Sequence, residues 1–242
     1  MNNKTGKVAF VTGGAKRLGK NICLALAAEG YDIAFSYLKS EKESVLTEKG
    51  LNSLGIKTFR MRADLTKKKD IQKFFSNAQK KLGKPSVLVN NASIFKRTPY
   101  KKLNAEIFEQ TIDTNLKSYY LCALEAAKLM KNNGGRIINI SSLGGIRPYK
   151  HYLPYSVSKA GVIMLTKCLA LELAPDIMVN SIAPGVLELP EEKRKQHLPP
   201  KEKIPLGKYG SPDEITNFIL YLINSQYITG QVFLIDGGKV LN

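Results

Sequence analysis

Short apolar segments rich in β-branched residues alternate with long helical patterns along the 242 residues of the chain. The predicted strands are Lys7–Thr12, Asp32–Tyr37, Thr58–Arg62, Val87–Asn90, Arg136–Ser141, Met178–Ile182 and Val232–Ile235, and the predicted helices cover 17–29, 41–54, 67–82, 104–131, 153–173 and 211–223. Strands separated by helices of this length need crossover connections, which make the sheet parallel and place helices on both of its faces. The pattern predicts one doubly wound α/β domain over residues 1–242, with about seven strands.

One stretch interrupts this alternation, because residues 184–212 are rich in proline and charge. The stretch follows the carboxyl end of a predicted strand, which is where open α/β sheets bind ligands. Loops of this length inside a compact domain usually have a function. We therefore expect a substrate loop or lid at 184–212.

The formal net charge of +17 points first to a nucleic-acid partner. However, 30 of the 37 basic residues are lysines spread over the whole chain, without the arginine forks and interleaved aromatic residues of dedicated nucleic-acid sites. We expect solvated helix faces that attract anionic ligands, and no nucleic-acid site. Apolar runs are shorter than the roughly 20 residues that span a bilayer, so we expect a cytoplasmic protein with no membrane partner.

The cysteines and histidines lack the paired spacings of a metal site or a redox dithiol. Cys23, Cys122 and Cys168 are therefore expected to be buried apolar side chains. His151 and His197 are expected to be a surface and a loop histidine, and no metal is predicted.

A glycine-rich turn from Thr12 to Gly19 joins the first predicted strand to a helix that starts near Arg17. Glycine allows a tight turn and lets backbone N–H groups approach a pyrophosphate at the positive end of the helix. The turn predicts a dinucleotide site.

The second predicted strand indicates which dinucleotide binds. An NAD site needs a carboxylate at the end of this strand, about 20 residues beyond the turn. Here the only acid, Asp32, opens the strand, whereas Lys39 and Ser40 lie at its end and Arg17 is expected nearby. A cation and a hydroxyl suit a 2′-phosphate, so the expected cofactor is NADP(H).

Tyr155 and Lys159 lie one turn apart on one face of the predicted helix 153–173. Ser142 precedes the tyrosine by thirteen residues, just past a central strand, and Asn115 lies within the long helix 104–131. With the glycine turn, these positions resemble the short-chain dehydrogenase/reductase family, which has a Rossmann-type fold. Further matches in the same order are Asp64-Leu65, Asn90-Asn91-Ala92, Pro184-Gly185 and Asp236-Gly237-Gly238. One departure is Arg17, which replaces the middle glycine of the family's turn.

The resemblance implies roles for these residues. Hydride transfer to a carbonyl builds negative charge on oxygen, which needs a proton donor and a second hydrogen bond. The implied catalytic residues are Tyr155 as the donor, Ser142 for the second bond, Lys159 to favour the phenolate, and Asn115 to hold the helix and a water. Ser141 competes with Ser142, but the thirteen-residue spacing favours the latter. The implied cofactor-binding residues are Gly13, Arg17, Leu18, Gly19, Lys39, Ser40, Asp64, Leu65, Asn91, Ala92, Tyr155, Lys159, Pro184 and Gly185.

The substrate class stays open between two branches of this family. Arg17, with Ser93 and Phe95 in Asn-Asn-Ala-Ser-x-Phe, resembles the pteridine and dihydromonapterin reductases, and the Phe95 ring could stack on a flat heterocycle. Pteridine reductases usually carry Asp in place of Ser142, which favours instead an ordinary carbonyl such as a 3-oxoacyl thioester. We predict NADPH-dependent carbonyl reduction, with pterin reduction as the alternative. The third and most remote hypothesis is a non-catalytic module that senses dinucleotides or binds nucleic acid.

Apolar residues on the two long helices predict self-association. These are Leu121, Ala123, Ala126 and Ala127 on the first helix and Val162, Leu165 and Leu169 on the second. Similar proteins pair these helices in dimers and tetramers, so a homotetramer is expected, although packing against the sheet would account for much of the same pattern.

Overall fold

The computed structural model describes residues 7–131, 133–189 and 198–242, which contain a seven-stranded parallel sheet. The strands are β1 (Val8–Val11), β2 (Asp32–Tyr37), β3 (Thr58–Arg62), β4 (Val87–Asn90), β5 (Gly135–Ile140), β6 (Ile177–Pro184) and β7 (Val232–Ile235), and the helices are α1 (Arg17–Ala28), α2 (Glu41–Asn52), α3 (Lys68–Leu82), α4 (Ala105–Ile112), α5 (Ser118–Met130), α6 (Leu153–Leu173) and α7 (Pro212–Asn224). The sheet order is β3-β2-β1-β4-β5-β6-β7, so the chain reverses its direction of winding between β1 and β4. The predicted single, doubly wound domain is confirmed.

Both faces of the sheet are covered, which explains why the central strands are apolar without alternation. In β1, Ala9 and Val11 belong to the core formed with α1 and α7, whereas Val8 and Phe10 belong to the core formed with α3 and α5. Because all strand pairs are parallel, the carboxyl ends of the strands meet at one edge of the sheet.

The predicted helix 104–131 is interrupted. The structure divides it into α4, a π-helical turn at Asp113–Lys117 and α5, and Asn115 lies in the middle of that turn. The wider π turn turns Asn115 toward the protein interior, where it is fully buried. The expectation of one regular helix is therefore wrong at this point.

The predicted loop 184–212 starts later than expected, because Pro184 is the last residue of β6 and pairs with Ile235. The two ends of the remaining loop are joined, since Glu188 N donates to Gly210 O (2.8 Å) and Gly210 N donates to Val186 O (2.9 Å). Residues 190–197 lie outside the described residues, and with them His197.

Two expectations about exposure are corrected. Cys23 and Cys122 are buried as predicted, but Cys168 is exposed on α6. The apolar residues chosen for self-association fill the core instead: Ala123, Ala126, Val162 and Leu169 are buried, and Leu121, Ala127 and Leu165 pack against the same core. The exposed apolar face of α6 is formed by Leu153, Val157, Met164 and Leu171, which are 45 to 83% exposed.

Candidate active site

The glycine-rich turn is held against the neighbouring strands by backbone bonds. Gly14 N donates to Ser36 O in β2 (3.0 Å), and Asn91 Nδ2 donates to the carbonyls of Thr12 and Gly13 (3.1 Å each). Gly13 has a positive φ of 67°, and a Cβ at Gly19 would overlap the Gly13 carbonyl oxygen. The turn thus brings the backbone unusually close to the N-terminus of α1, which fits a pyrophosphate.

Thr12 links this turn to the end of β4. Its Oγ1 accepts hydrogen bonds from Asn91 N (2.9 Å) and Ala92 N (3.1 Å). A Cβ at Gly13 would lie 3.0 Å from the Cα of Ala92. Asn91 and Ala92 are therefore part of the same cradle as the glycine turn.

Arg17 adopts the left-handed backbone that glycine adopts at less cost, with a φ of 52°. It is the first residue of α1, followed by Leu18 and the buried Gly19. The substitution of the family's middle glycine therefore preserves the shape of the turn and adds a guanidinium at the helix N-terminus.

The end of β2 carries the two residues expected at a 2′-phosphate. Lys39 is exposed and Ser40 is the N-cap of α2. Asp32 lies at the opposite end of the strand, where its carboxylate accepts a bond from Lys57 N (2.7 Å). The acids in the first turn of α2 are both paired, Glu41 with Arg60 (2.7 Å) and Glu43 with Lys16 (3.6 Å). Because the carboxylates of Glu41 and Glu43 are neutralised by these cations, they repel an anion at the N-terminus of α2 less strongly.

Asp64, which follows β3, is engaged within its own turn. Its carboxylate accepts bonds from the Thr66 backbone N–H (3.1 Å) and hydroxyl (2.8 Å) and lies 3.7 Å from Lys67 Nζ. Burial acts to raise the pKa of Asp64, but the bonds from Thr66 and the charge of Lys67 hold it below its usual value. The neighbouring Leu65 is buried.

Pro184 ends β6 beside β7, and Gly185 is the first residue after the strand. Gly185 N donates to Ile235 O (2.8 Å), and a Cβ at Gly185 would lie 2.6 Å from Asp236 Cα. This close approach brings Pro184 and Gly185 to the same edge of the sheet as the glycine turn.

Ser142 and Ser141 have different surroundings. Ser141 Oγ donates to Ile182 O (3.1 Å) and accepts from Ser181 Oγ (2.7 Å), so it is used within the sheet. Ser142 Oγ accepts from Gly144 N (3.0 Å) and interacts with the Tyr155 phenol. Of the two serines, Ser142 is the one beside Tyr155.

Tyr155 and Lys159 lie on the face of α6 that packs against the loop carrying Ser142. A Cβ at Gly145 would lie 2.6 Å from the Lys159 backbone, so the helix and the loop are in direct contact. Burial raises the pKa of Tyr155, and the hydrogen bond with Ser142 acts in the opposite direction. Burial lowers the pKa of Lys159 to about 7. The Lys159 ammonium lies 5.9 Å from the centroid of the Tyr155 ring and donates to Ile140 O (2.7 Å).

Asn115 is bonded at both ends of its amide. Its Oδ1 accepts from Ile94 N (2.8 Å), and its Nδ2 donates to Ile94 O (3.0 Å) and to Ser158 Oγ (3.1 Å). Ser158 in turn donates to Tyr155 O (2.7 Å). Asn115 therefore ties the segment after β4 to the helix that carries Tyr155 and Lys159.

Phe95 lies next to Tyr155, as the substrate prediction requires, but it is also in contact with a second tyrosine. Its ring stacks on Tyr152 with a centroid distance of 4.4 Å and meets Tyr155 edge-on at 4.6 Å. Phe95 is 42% exposed and Ser93 is exposed as well. The structure thus brings an exposed aromatic ring, Phe95, against Tyr155, with the exposed Ser93 two residues before it in the chain.

Sequence reasoning missed three tyrosines of this site. Tyr152 stacks on Phe95, Tyr149 interacts with Ser142, and Tyr119 contacts Lys159 Nζ through its hydroxyl (3.3 Å). Burial raises the pKa of Tyr149 to about 12. Only the spacing of Tyr149, Tyr152 and Tyr155 at intervals of three residues could have indicated the first two.

Among the described residues, no cluster of histidine, cysteine and acidic side chains could hold a metal ion, and no helix is long and apolar enough to cross a membrane. His151 is part of the loop before α6, where its carbonyl accepts a bond from Thr98 N (2.6 Å).

Comparisons with known proteins agree with this geometry. Residues 13–239 match a family model described as enoyl-(acyl carrier protein) reductase. The chain is 35% identical to a 3-oxoacyl-(acyl-carrier-protein) reductase of Synechocystis sp., with all of both chains covered. It is 34% identical to the enzyme of the same name from Aquifex aeolicus, which covers 96% of this chain and 97% of the relative.

Solved structures give the same result. A short-chain dehydrogenase/reductase from Serratia marcescens has a TM-score of 0.89 at 34% identity, covering 97% of this chain and 98% of that one. An acetoin dehydrogenase from Salmonella typhimurium has a TM-score of 0.90 at 31% identity, covering 98% and 97%. Because these matches extend over nearly the full length of the chain, the protein is an oxidoreductase that belongs to the short-chain dehydrogenase/reductase family.

Proposed function

We propose that this protein is an NADPH-dependent reductase that acts on the carbonyl group of a small-molecule or acyl-carrier substrate of the 3-oxoacyl type. The observation that carries the proposal is the meeting of Ser142, Tyr155 and Lys159 at the sheet edge that also holds the glycine turn. The names of the relatives, 3-oxoacyl-(acyl-carrier-protein) reductases, support the substrate class.

Different residues at the carboxyl edge of the sheet would bind different parts of NADP(H). The N–H groups of the glycine turn and α1 would face the pyrophosphate, with Arg17, Lys39 and Ser40 at the 2′-phosphate. Asn91, Ala92, Pro184 and Gly185 would line the nicotinamide half, with Asp64 and Leu65 beside the adenine. When bound, the cofactor supplies the hydride.

Two of the three Lys159 N–H groups are used within the protein, on Ile140 O and the Tyr119 hydroxyl. The third would hold the nicotinamide ribose.

Tyr155 acts as the proton donor to the carbonyl oxygen. Burial holds its proton in the resting protein, and Ser142 donates the second hydrogen bond that stabilises negative charge on the same oxygen. The nearby Lys159 ammonium favours the phenolate that remains once the proton has left. Asn115 acts indirectly, by fixing the helix through Ser158 and the Ile94 backbone, and it would hold the water that links Lys159 to solvent.

The rim of the site suits an anionic acyl carrier. Exposed cations follow β4 (Lys96 and Arg97) and β5 (Arg147 and Lys150), and the half-buried Lys239, whose ammonium donates to Lys203 O, follows β7. These loops surround the carboxyl edge of the sheet, and the overall charge of +17 adds a long-range attraction for acidic partners. The loop within 184–212 would close over the acyl chain.

Pterin reduction is the second candidate. It is favoured by one observation: the aromatic ring of Phe95, which lies beside Tyr155, is 42% exposed, and a flat heterocycle could stack on an aromatic ring. Ser142 weighs against it, because a hydroxyl supplies the proton for C=N reduction poorly.

A substrate panel tests these proposals. NADPH consumption would be measured with acetoacetyl thioesters of coenzyme A and of acyl carrier protein, with diacetyl, and with dihydrobiopterin. We expect the thioesters to react fastest and Tyr155→Phe to bind NADPH normally while losing about 10³-fold in turnover. Tyr227→Phe, which removes a fully exposed hydroxyl, is the control. Equal use of NADH would contradict the cofactor proposal, and reaction of dihydrobiopterin alone would select the second candidate.

We also propose that the protein assembles as a homotetramer, by pairing of the exposed apolar face of α6. Leu153, Val157, Met164 and Leu171 are four, seven and seven residues apart, a spacing that keeps them on one face of the helix, as in a helix that packs on a second helix. Replacing Met164 with Glu should lower the mass measured by light scattering. An unchanged mass would place the interface elsewhere.

A further inference from the structure

Tyr119 is the largest side chain that the core encloses completely, and it belongs to α5, one turn after Asn115. It is 1% exposed. Its hydroxyl lies 3.3 Å from Lys159 Nζ and 3.3 Å from Ile140 O, and Lys159 Nζ also lies 5.0 Å from the centre of its ring. The phenol therefore covers the inner side of the Lys159 ammonium.

The Ile140 carbonyl is available to these side chains because of the strand register. The pairing of β4 with β5 ends at Asn90 and Asn139, one residue before Ile140. The carbonyl lies past that ladder and accepts from Lys159 Nζ (2.7 Å) and from the Tyr119 hydroxyl (3.3 Å) instead. Three polar groups thus form a closed triangle under the site.

The protons of this triangle can be assigned. Tyr119 has one O–H, which it donates to Ile140 O, so its oxygen can only accept from the ammonium. Burial, with a smaller contribution from Tyr155, raises the pKa of Tyr119 well above its usual value, so the phenol stays neutral at neutral and moderately alkaline pH. Lys159 is 1% exposed, and burial favours its uncharged form.

We propose that Tyr119 is a positioning residue for Lys159: the phenolic oxygen of Tyr119 holds the ammonium in place and favours its charged form. This proposal rests on the role given to Lys159 in the proposed function, but it concerns a contact within the protein. Acceptor oxygens are what offset the cost of burying a cation. Tyr119 supplies one of the two acceptors that contact Lys159 Nζ among the described residues.

Two phenols contact the Lys159 ammonium in the described residues, Tyr119 on α5 and Tyr155 on the same helix. The next titratable groups are Cys122, which lies near Tyr119, and Tyr149, which lies near Tyr155. Burial raises the pKa of all four. Among these groups, Lys159 is the one whose pKa burial lowers.

Tyr119→Phe tests the proposal, because it removes only the hydroxyl. The Ile140 carbonyl keeps its bond from Lys159, so no buried group loses its last partner and the variant should fold. The first measurement is NMR titration of ¹³C-labelled lysine in the cofactor-free protein, with the Lys159 signal assigned by its absence in Lys159→Met. We expect its midpoint to fall by about one pH unit, as for loss of one hydrogen bond to a charged group.

The second measurement is the pH dependence of turnover. A lower pKa of Lys159 means that the ammonium is lost at lower pH, so the alkaline limb of the profile should move down by the same amount. Below that limb, turnover should stay within about twofold of the original. A residue that only fills space would instead reduce turnover equally at every pH.

Tyr120→Phe is the matched control, since Tyr120 is the next residue and is 45% exposed. It should move neither the NMR midpoint nor the pH profile. An unchanged Lys159 midpoint in Tyr119→Phe, or a uniform loss of turnover, would overturn the proposal. Tyr119→Leu, which also lacks the oxygen, provides the second variant should the first be unstable. The NMR result needs neither NADPH nor substrate, so it stands apart from failure of the proposed function.

Discussion

The two halves of the candidate active site are held together by different kinds of contact. On the side of β1 and β2, the turn from Thr12 to Gly19 is held by backbone groups, and glycines allow its close contacts. On the side of β4 to β6, buried side chains such as Asn115, Tyr119 and Lys159 bond to one another and to strand carbonyls. The first half depends on glycines at its points of closest contact, and the second depends on buried polar side chains.

This difference predicts different responses to mutation. A change in the glycine half should act by steric overlap and weaken binding of the dinucleotide. A change in the side-chain half should alter charge, proton transfer and stability. Turnover and stability should often change in opposite directions.

The largest effect is expected for Lys159→Met, which removes a buried charge but keeps most of the volume. Turnover should fall roughly 10³-fold, as for loss of a group that assists proton transfer. Stability at pH 7 should not fall, because burying the ammonium is costly and Tyr119 still donates to Ile140 O. Both can be measured on the same preparation, by NADPH consumption and by urea unfolding.

The pH dependence of stability follows from the same residue. In the folded protein, burial lowers the pKa of Lys159 to about 7 from its ordinary value of 10.5, so between these values the unfolded chain binds more protons. Stability of the original protein should therefore rise with pH, by about 2 kcal/mol between pH 7 and 9. This rise should be absent in Lys159→Met, and the same rise in both proteins would show that Lys159 is not the group responsible.

The next effect is expected in the glycine half. In Gly19→Ala the new Cβ would overlap the Gly13 carbonyl and lie 2.7 Å from Asn91 Nδ2, so the cradle must open. We expect roughly 100-fold weaker NADPH binding by fluorescence titration, equivalent to about 3 kcal/mol. Gly50→Ala is the matched control, because its Cβ would have only Leu24 nearby at 3.8 Å within α2. It should bind NADPH normally and gain up to about 1 kcal/mol of stability. Normal binding by Gly19→Ala would show that the turn is not the pyrophosphate site.

The same difference explains how much the sequence could predict. Strand and helix periodicity gave the sheet, its layers and most element boundaries, because burial on both faces leaves apolar runs. The turn was visible because glycine is needed for its shape. The π turn around Asn115 was not, since it leaves the helical pattern of residues 104–131 nearly unchanged.

Side-chain partners that depend on tertiary contact could not be predicted from the sequence either. Tyr119 reads as an ordinary core residue of α5, and only the end of the β4 ladder places the Ile140 carbonyl beside it. Likewise, apolar residues on α6 are equally suited to the sheet or to a second subunit. Burial assigned Val162 and Leu169 to the core and left Met164 and Leu171 exposed.

The smallest effect is expected for Lys39→Ala, which removes one of the two cations, Arg17 and Lys39, proposed at the 2′-phosphate in the glycine half. Lys39 is exposed, so its attraction for a 2′-phosphate is screened by solvent, and we expect the KM for NADPH to rise only about tenfold. The KM for NADH, which lacks that phosphate, should not change, and the tenfold difference should shrink with added salt. Lys42→Ala, which removes an equally exposed cation from the first turn of α2, is the control. If both variants raise the KM for NADPH equally, the effect is due to the general positive field of the chain and Lys39 has no specific role.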